Sequence, residues 1–149
     1  MAEIGRLNSL EILHHTPQGF YLDGAEHGEI LLPSRYVTDS MKEGNMITVF
    51  IYRDSEDRLI ASTDRPKAIV GEFAGLKVTS VHPNVGAFLD WGLPKDLLLP
   101  YREQTKPVRK DQIIVVRIIL DPTSERLVAS ARLNRWLEKQ APRYRRGQS

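Results

Sequence analysis

Gly19-Phe-Tyr-Leu-Asp-Gly-Ala-Glu-His-Gly-Glu-Ile-Leu-Leu-Pro33 returns as Gly86-Ala-Phe-Leu-Asp-Trp-Gly-Leu-Pro-Lys-Asp-Leu-Leu-Leu-Pro100 when the chain is slid along itself by 67 residues. Six of the fifteen positions are identical: the first Gly, a Leu-Asp pair and the closing Leu-Leu-Pro. With one extra residue, Arg58-Leu-Ile-Ala-Ser62 then falls on Arg126-Leu-Val-Ala-Ser130, which differs only by Val for Ile. Two such blocks in one frame mark a duplicated unit. A period of 67 residues is too long for a solenoid repeat and suits a minimal independent barrel.

Each copy reads as five short strands. In the second they are Leu76 to Val81, Gly86 to Trp91, Asp96 to Leu99, Ile113 to Leu120 and Arg126 to Ala131, separated by turn residues at Pro83-Asn84, Gly92-Leu93-Pro94 and Asp121-Pro122. In the first they are Leu10 to His14, Gly19 to Asp23, Gly28 to Leu32, Met46 to Arg53 and Arg58 to Thr63. Five strands cannot cover both faces of a flat sheet, whereas closure removes the edges and buries alternate residues of Ile-Ile-Val-Val-Arg-Ile-Ile-Leu. The expected fold class is therefore all-β, two tandem five-stranded Greek-key OB barrels. Gly19 and Gly86 let the second strand coil around the barrel, and Pro33 and Pro100 stop the third. The segments between strands three and four, Ser34 to Glu43 and Tyr101 to Gln112, have the length for a turn of helix. Leu133, Trp136, Leu137 and Gln140 sit at helical spacing, which predicts a short helix docking Trp136 on the second barrel and ending at Ala141-Pro142. The expected division is 1–66, 67–140 and a linker at 141–149, which reads as the lead-in to a further unit.

The 149 residues are 41% hydrophobic and 27% charged, with no cysteine. Disulfides, thiol nucleophiles and iron–sulfur clusters are thereby excluded. No apolar run approaches the roughly 18 residues needed to span a bilayer, so no membrane partner and a cytoplasmic location are expected. The net charge of +2 hides an asymmetry. Residues 1–66 carry six Lys/Arg against eleven Asp/Glu, net −5, and residues 67–149 carry fifteen against eight, net +7. The excess is densest at Arg132, Arg135, Lys139, Arg143, Arg145 and Arg146, opposed only by Glu138. Such a cluster suits a polyanion; as a solvated tail it would carry no such meaning.

A barrel with Gly-x-aromatic-Leu on strand two, and with Asp followed by Arg-Leu-x-Ala-Ser at strands four to five, resembles the RNA-binding OB domain of the ribosomal protein S1 type. The tandem arrangement, both Leu-Leu-Pro closures and the exit Arg-Leu-Asn-Arg-Trp-Leu are similar to the N-terminal part of the conserved virulence factor B family, from about Gly5 to Gly147. The resemblance implies a further barrel and a winged-helix domain beyond this stretch. It also implies single-stranded RNA lying across strands two and three. The strand-two aromatic then falls on Phe88 and Tyr21, and the acid and arginine fall on Asp121 with Arg126 and on Asp54 with Arg58. Two positions depart from the pattern. The aromatic before the strand-two glycine is Val85 or Gln18 here, and the strand-three histidine is Leu99 or Leu32.

Stacking is worth roughly 1 to 3 kcal/mol per base, so losing those rings calls for compensation. In the second unit Trp91 and His82 are the candidates to restore the platform, with Lys77, Lys95 and Arg117 tracking phosphate. Because Phe88 alternates with Leu89, only one of the two faces outward. Glu26, Glu29, Asp54, Glu56 and Asp57 make the first unit a candidate for protein contact, leaving RNA to the second unit with Arg132 and Arg135. His14, His15, His27 and His82 lack metal-site spacing, no phosphate-cradling glycine loop occurs, and Asp23 and Asp90 read as turn caps. No catalysis, metal or cofactor is expected. The leading expectation is a sequence-tolerant RNA-binding module. The competitor is a protein-interaction scaffold whose barrels have lost RNA binding or leave it to downstream domains.

Overall fold

A computed structural model describes residues 2–133. Ten strands form in chain order: β1 Leu7–Thr16, β2 Gly19–Asp23, β3 Glu29–Pro33, β4 Met46–Arg53, β5 Leu59–Ser62, β6 Phe73–His82, β7 Gly86–Asp90, β8 Leu97–Pro100, β9 Ile113–Leu120 and β10 Leu127–Ser130. They close into two barrels in equivalent orders, β1-β2-β3-β5-β4 and β10-β8-β7-β6-β9. The segments after β3 and β8 open with single 3-10 turns, Ser34–Tyr36 and Tyr101–Glu103. The first strand of each copy is longer than its apolar pattern indicated, because a register shift between Ile12 and His14, and again between Val78 and Ser80, lets it coil around both neighbours. Beyond Leu133, the helix expected as far as Gln140, and Arg135 with it, lies outside the described residues, as does the 141–149 linker.

The repeated sequence blocks map onto repeated contacts. Gly19 pairs with Pro33 and Gly86 with Pro100, at φ of +143° and +139°. A Cβ at either glycine would run into a backbone carbonyl of the third strand, that of Leu32 or Leu99. Only glycine permits that approach. Inside the first barrel Leu10, Ile12, Leu22, Ile30, Leu32, Val49, Ile51 and Ala61 make the core. Leu76, Val78, Ala87, Leu89, Leu97, Leu99, Val116, Ile118 and Ala129 do so in the second.

β4 breaks the alternation. Val49 and Ile51 point into the first barrel, yet Phe50 and Tyr52 between and after them are also buried, at 0% and 4% exposure. They belong to the second barrel's cluster, where Phe50 meets the Trp91 ring edge-on at 5.7 Å and Tyr52 meets it at 6.4 Å. Polar contacts fasten the same seam. The Val70 amide donates to the Gly5 carbonyl at 2.9 Å, Arg53 pairs with Glu125 at 3.0 Å, and Arg126 pairs with Asp57 at 2.9 Å. The two barrels are thus docked through an aromatic core of their own.

Candidate functional site

The outward face of strand two is settled by its neighbours. Leu22 and Leu89 are fully buried, which turns Tyr21 and Phe88 to the surface, each half-buried. Each ring has a histidine companion from the preceding strand. His14 stacks on Tyr21 at 5.3 Å and 20°, and His82 stands edge-on to Phe88 at 5.0 Å. His14 and His15 go to opposite sides of the ladder as their adjacency predicts, His14 beside Tyr21 and His15 beside Phe20.

On the first barrel Tyr21 lines a shallow groove of about 330 Å³ together with His27, Glu29, Leu31, Asp54 and Arg58. Asp54 opens the β4–β5 turn: its Oδ1 accepts from the amides of Glu56 and Arg58, and its Oδ2 accepts from Arg58 Nε at 3.1 Å. Burial alone would raise the Asp54 pKa, but these hydrogen bonds from Arg58 and Glu56 outweigh it and hold the carboxyl below its usual range. The Arg58 guanidinium, 65% exposed, is fixed by Asp54 at the edge of the groove.

The second barrel does not copy this arrangement. Its turn is one residue longer, from Asp121 to Arg126, and Asp121 spends its oxygens on Thr123, Ser124 and Arg102. Arg126 reaches across the seam to Asp57, and that hydrogen bond lowers the Asp57 pKa.

One second-unit expectation needs correction. Trp91 is not a surface stacker: it is 2% exposed, its ring is wedged against Phe50 and Tyr52, and its indole N–H donates to the Lys95 carbonyl at 2.7 Å. Lys95 is half-buried at the seam, its ammonium donating to the carbonyls of Arg53 and Asp54 at 3.1 and 2.9 Å. Arg117 lies over Phe73 and donates to the Gly71 carbonyl. Lys77 is exposed and pairs with Asp111 at 3.6 Å, and Arg132 is exposed with its guanidinium on the Arg102 carbonyl.

Among the first barrel's acids, Asp54 and Glu56 share Arg58 and Asp57 meets Arg126, while Glu29 and Glu26 lie beside the His14 and His27 rings. Sequence reading missed these pairings and the His14 companion of Tyr21, whereas His82 was already a platform candidate beside Phe88. The alternation of His14 and His15 was the available signal for the His14 contact. Among the described residues no group of three His, Asp or Glu is placed to hold a metal ion, and no helix is long and apolar enough to cross a membrane.

Two closed barrels of this order, each with a glycine-pinned second strand and an outward aromatic, define tandem S1-type OB domains. Residues 4–64 match the S1 domain family. The chain is 32% identical over 114 residues to the uncharacterized protein YitL of Bacillus subtilis (strain 168), covering 73% of this chain and 38% of that protein. It is 24% identical over 119 residues to Conserved virulence factor B of Staphylococcus saprophyticus, covering 75% and 40%. A crystal structure of a multidomain protein with nucleic acid binding domains from Streptococcus pneumoniae TIGR4 has the same fold, with a TM-score of 0.73 at 19% identity over 93% of this chain and 49% of that one. Residues 4–64 thus form an S1 domain, the chain is similar to virulence factor B-like proteins, and it spans about two fifths of the curated relatives' length.

Proposed function

We propose that the chain is a non-catalytic, sequence-tolerant single-stranded RNA-binding module of the cytoplasm, serving RNA metabolism or the regulation of gene expression. The observation that carries this reading is the outward aromatic on strand two of both barrels, Tyr21 and Phe88, each backed by a histidine ring. A base has a π-face whatever its identity, so a solvent-facing ring suits a strand without fixed sequence. The S1 match and the nucleic acid binding domains of the pneumococcal neighbour support the same ligand class.

The second barrel contributes Phe88 and His82, with Lys77 and Arg132 as exposed cations, while Asp121 and Arg126 shape the turn and the seam. The first barrel contributes Tyr21 and Arg58, and Arg126 of the second unit offsets one of its acids, Asp57.

Titration with a labelled oligouridylate at two salt concentrations tests the reading. Affinity falls steeply with salt, and Phe88→Ala and Tyr21→Ala each weaken binding by about 1 to 3 kcal/mol. No binding at low salt, or binding indifferent to both rings, overturns it. The protein-scaffold reading draws on one observation, the exposed apolar strip of Phe73, Ile113 and Val115 on paired β6 and β9. It becomes the better account if RNA fails to bind.

A further inference from the structure

The groove beside Tyr21 does not end on the first barrel. It shares Asp54, Arg58 and Ile60 with a second cavity of about 270 Å³ that opens between the barrels, lined by Arg35 and Tyr52 from the first and by Pro94 and Lys95 from the second. Asp54 is the one carboxylate in that lining, and its charge is already answered by Arg58. Two cations are left over. Arg35 is exposed, lies on the Tyr36 ring at 4.7 Å and has no carboxylate partner among the described residues. Lys95 donates to two neutral carbonyls and makes no salt bridge among the described residues. Burial, with Arg126 nearby, lowers its proton affinity against the opposing pull of Asp54 and Asp57.

Tyr52 supplies an independent pointer. The residue is 4% exposed, yet its hydroxyl has no hydrogen-bond partner among the described residues and it lines this cleft. Buried polar groups are as a rule satisfied, and leaving one unmade is costly. With its pKa pushed up to about 12 by burial, the phenol is protonated at neutral pH and is a donor in search of an acceptor.

We propose that the cleft between the barrels is a phosphate-binding site, with Arg35 and Lys95 as cations and the Tyr52 hydroxyl as donor. Resting on the RNA-binding reading above, the ligand is a backbone phosphate of the strand whose bases lie on the Tyr21 face. The site exists only when the barrels are docked, since each supplies one of its charges.

Oligouridylates of about 4 and about 12 nucleotides, short and long against the span of one OB face, separate the two sites. Arg35→Gln and Tyr52→Phe lower affinity for the longer strand about five- to tenfold and leave the shorter unchanged. Arg35→Gln also reduces the slope of log affinity on log salt by about 0.7, the value of one single-strand phosphate. Tyr21→Ala weakens both lengths and leaves that slope intact. In a parallel arm inorganic phosphate shifts the backbone amide resonances of Arg35, Tyr52 and Lys95. If neither oligonucleotide binds but phosphate shifts those amides, the RNA reading fails and the cleft stands as a site for a free phosphate compound. The cleft proposal is overturned if those amides respond to neither probe, or if the variants weaken both lengths alike or neither.

Discussion

Replacing Phe50 by alanine should separate the stability of the barrels from the stability of their docking. The ring is fully buried but leaves β4 on the side away from its own barrel's core, so its truncation opens a hole in the seam. An aromatic side chain buries about 150–250 Å², which at about 25 cal/mol per Å² corresponds to about 4–6 kcal/mol. Measured Phe→Ala changes in cores cost about 3–5 kcal/mol. The edge-on contact with Trp91 at 5.7 Å and the stacked one with Tyr52 at 5.9 Å are lost together, so about 4 kcal/mol is the expected cost. In a Trp136→Phe background Trp91 is the sole indole, and urea unfolding followed by its emission and by far-ultraviolet circular dichroism reads the seam and the strands separately. The parent should unfold in one transition on both probes. Phe50→Ala should expose Trp91 at lower urea than it melts the strands. A single coincident transition within about 1 kcal/mol of the parent would refute the claim that Phe50 holds the barrels together.

Three further outcomes follow from the same contacts. Gly86→Ala places a Cβ against the Leu99 carbonyl at a φ of +139°, and should cost more than the 1–3 kcal/mol of ordinary backbone strain, read as a loss of thermal midpoint far larger than that of Gly44→Ala, whose surroundings are open. Asp54 and Asp57 have folded pKa values below their unfolded ones, so the stability they contribute is present above about pH 4 and is lost as pH falls through the folded values. Asp57→Asn should flatten the acid limb of the unfolding curve, and an unchanged limb would count against the Asp57–Arg126 pair. Tyr52 shifts the other way: an acid raised to about 12 stays neutral in the fold while the unfolded chain ionises near pH 10, so stability falls as pH rises from about 10 toward 12. The phenolate absorbance step near pH 12 should vanish in Tyr52→Phe.

The barrels were legible in the sequence because their constraints are local and repeated: alternating apolar residues, a glycine where strand two touches strand three, a proline where strand three stops. That Phe88 and Leu89 face opposite ways was legible too, but the burial of Leu89 in the structure decided which of them turns outward. What could not be read was the relation between the copies. Trp91 sits at the end of a strand where a surface ring and a seam ring have the same sequence pattern, and only the neighbouring barrel decides between them. Phe50 and Tyr52 carried a hint, since an all-apolar end to β4 exceeds what one barrel face can bury. Charge counting is silent on position for a related reason: the net of −5 already counts Arg58, whereas Arg126, which meets Asp57 from 69 residues away, belongs to the second unit.

The three buried rings between the barrels, Phe50, Tyr52 and Trp91, also bear on the thermodynamics of the two-site ligand proposed above. Sites joined by a slack tether recover only the effective concentration that the tether allows, whereas here the second contact is presented at a fixed span and direction. A strand that reaches both faces loses no tether entropy, and one too short to bridge them gains nothing from the duplication. On the function proposed above, the tandem would act as a ruler for strand length.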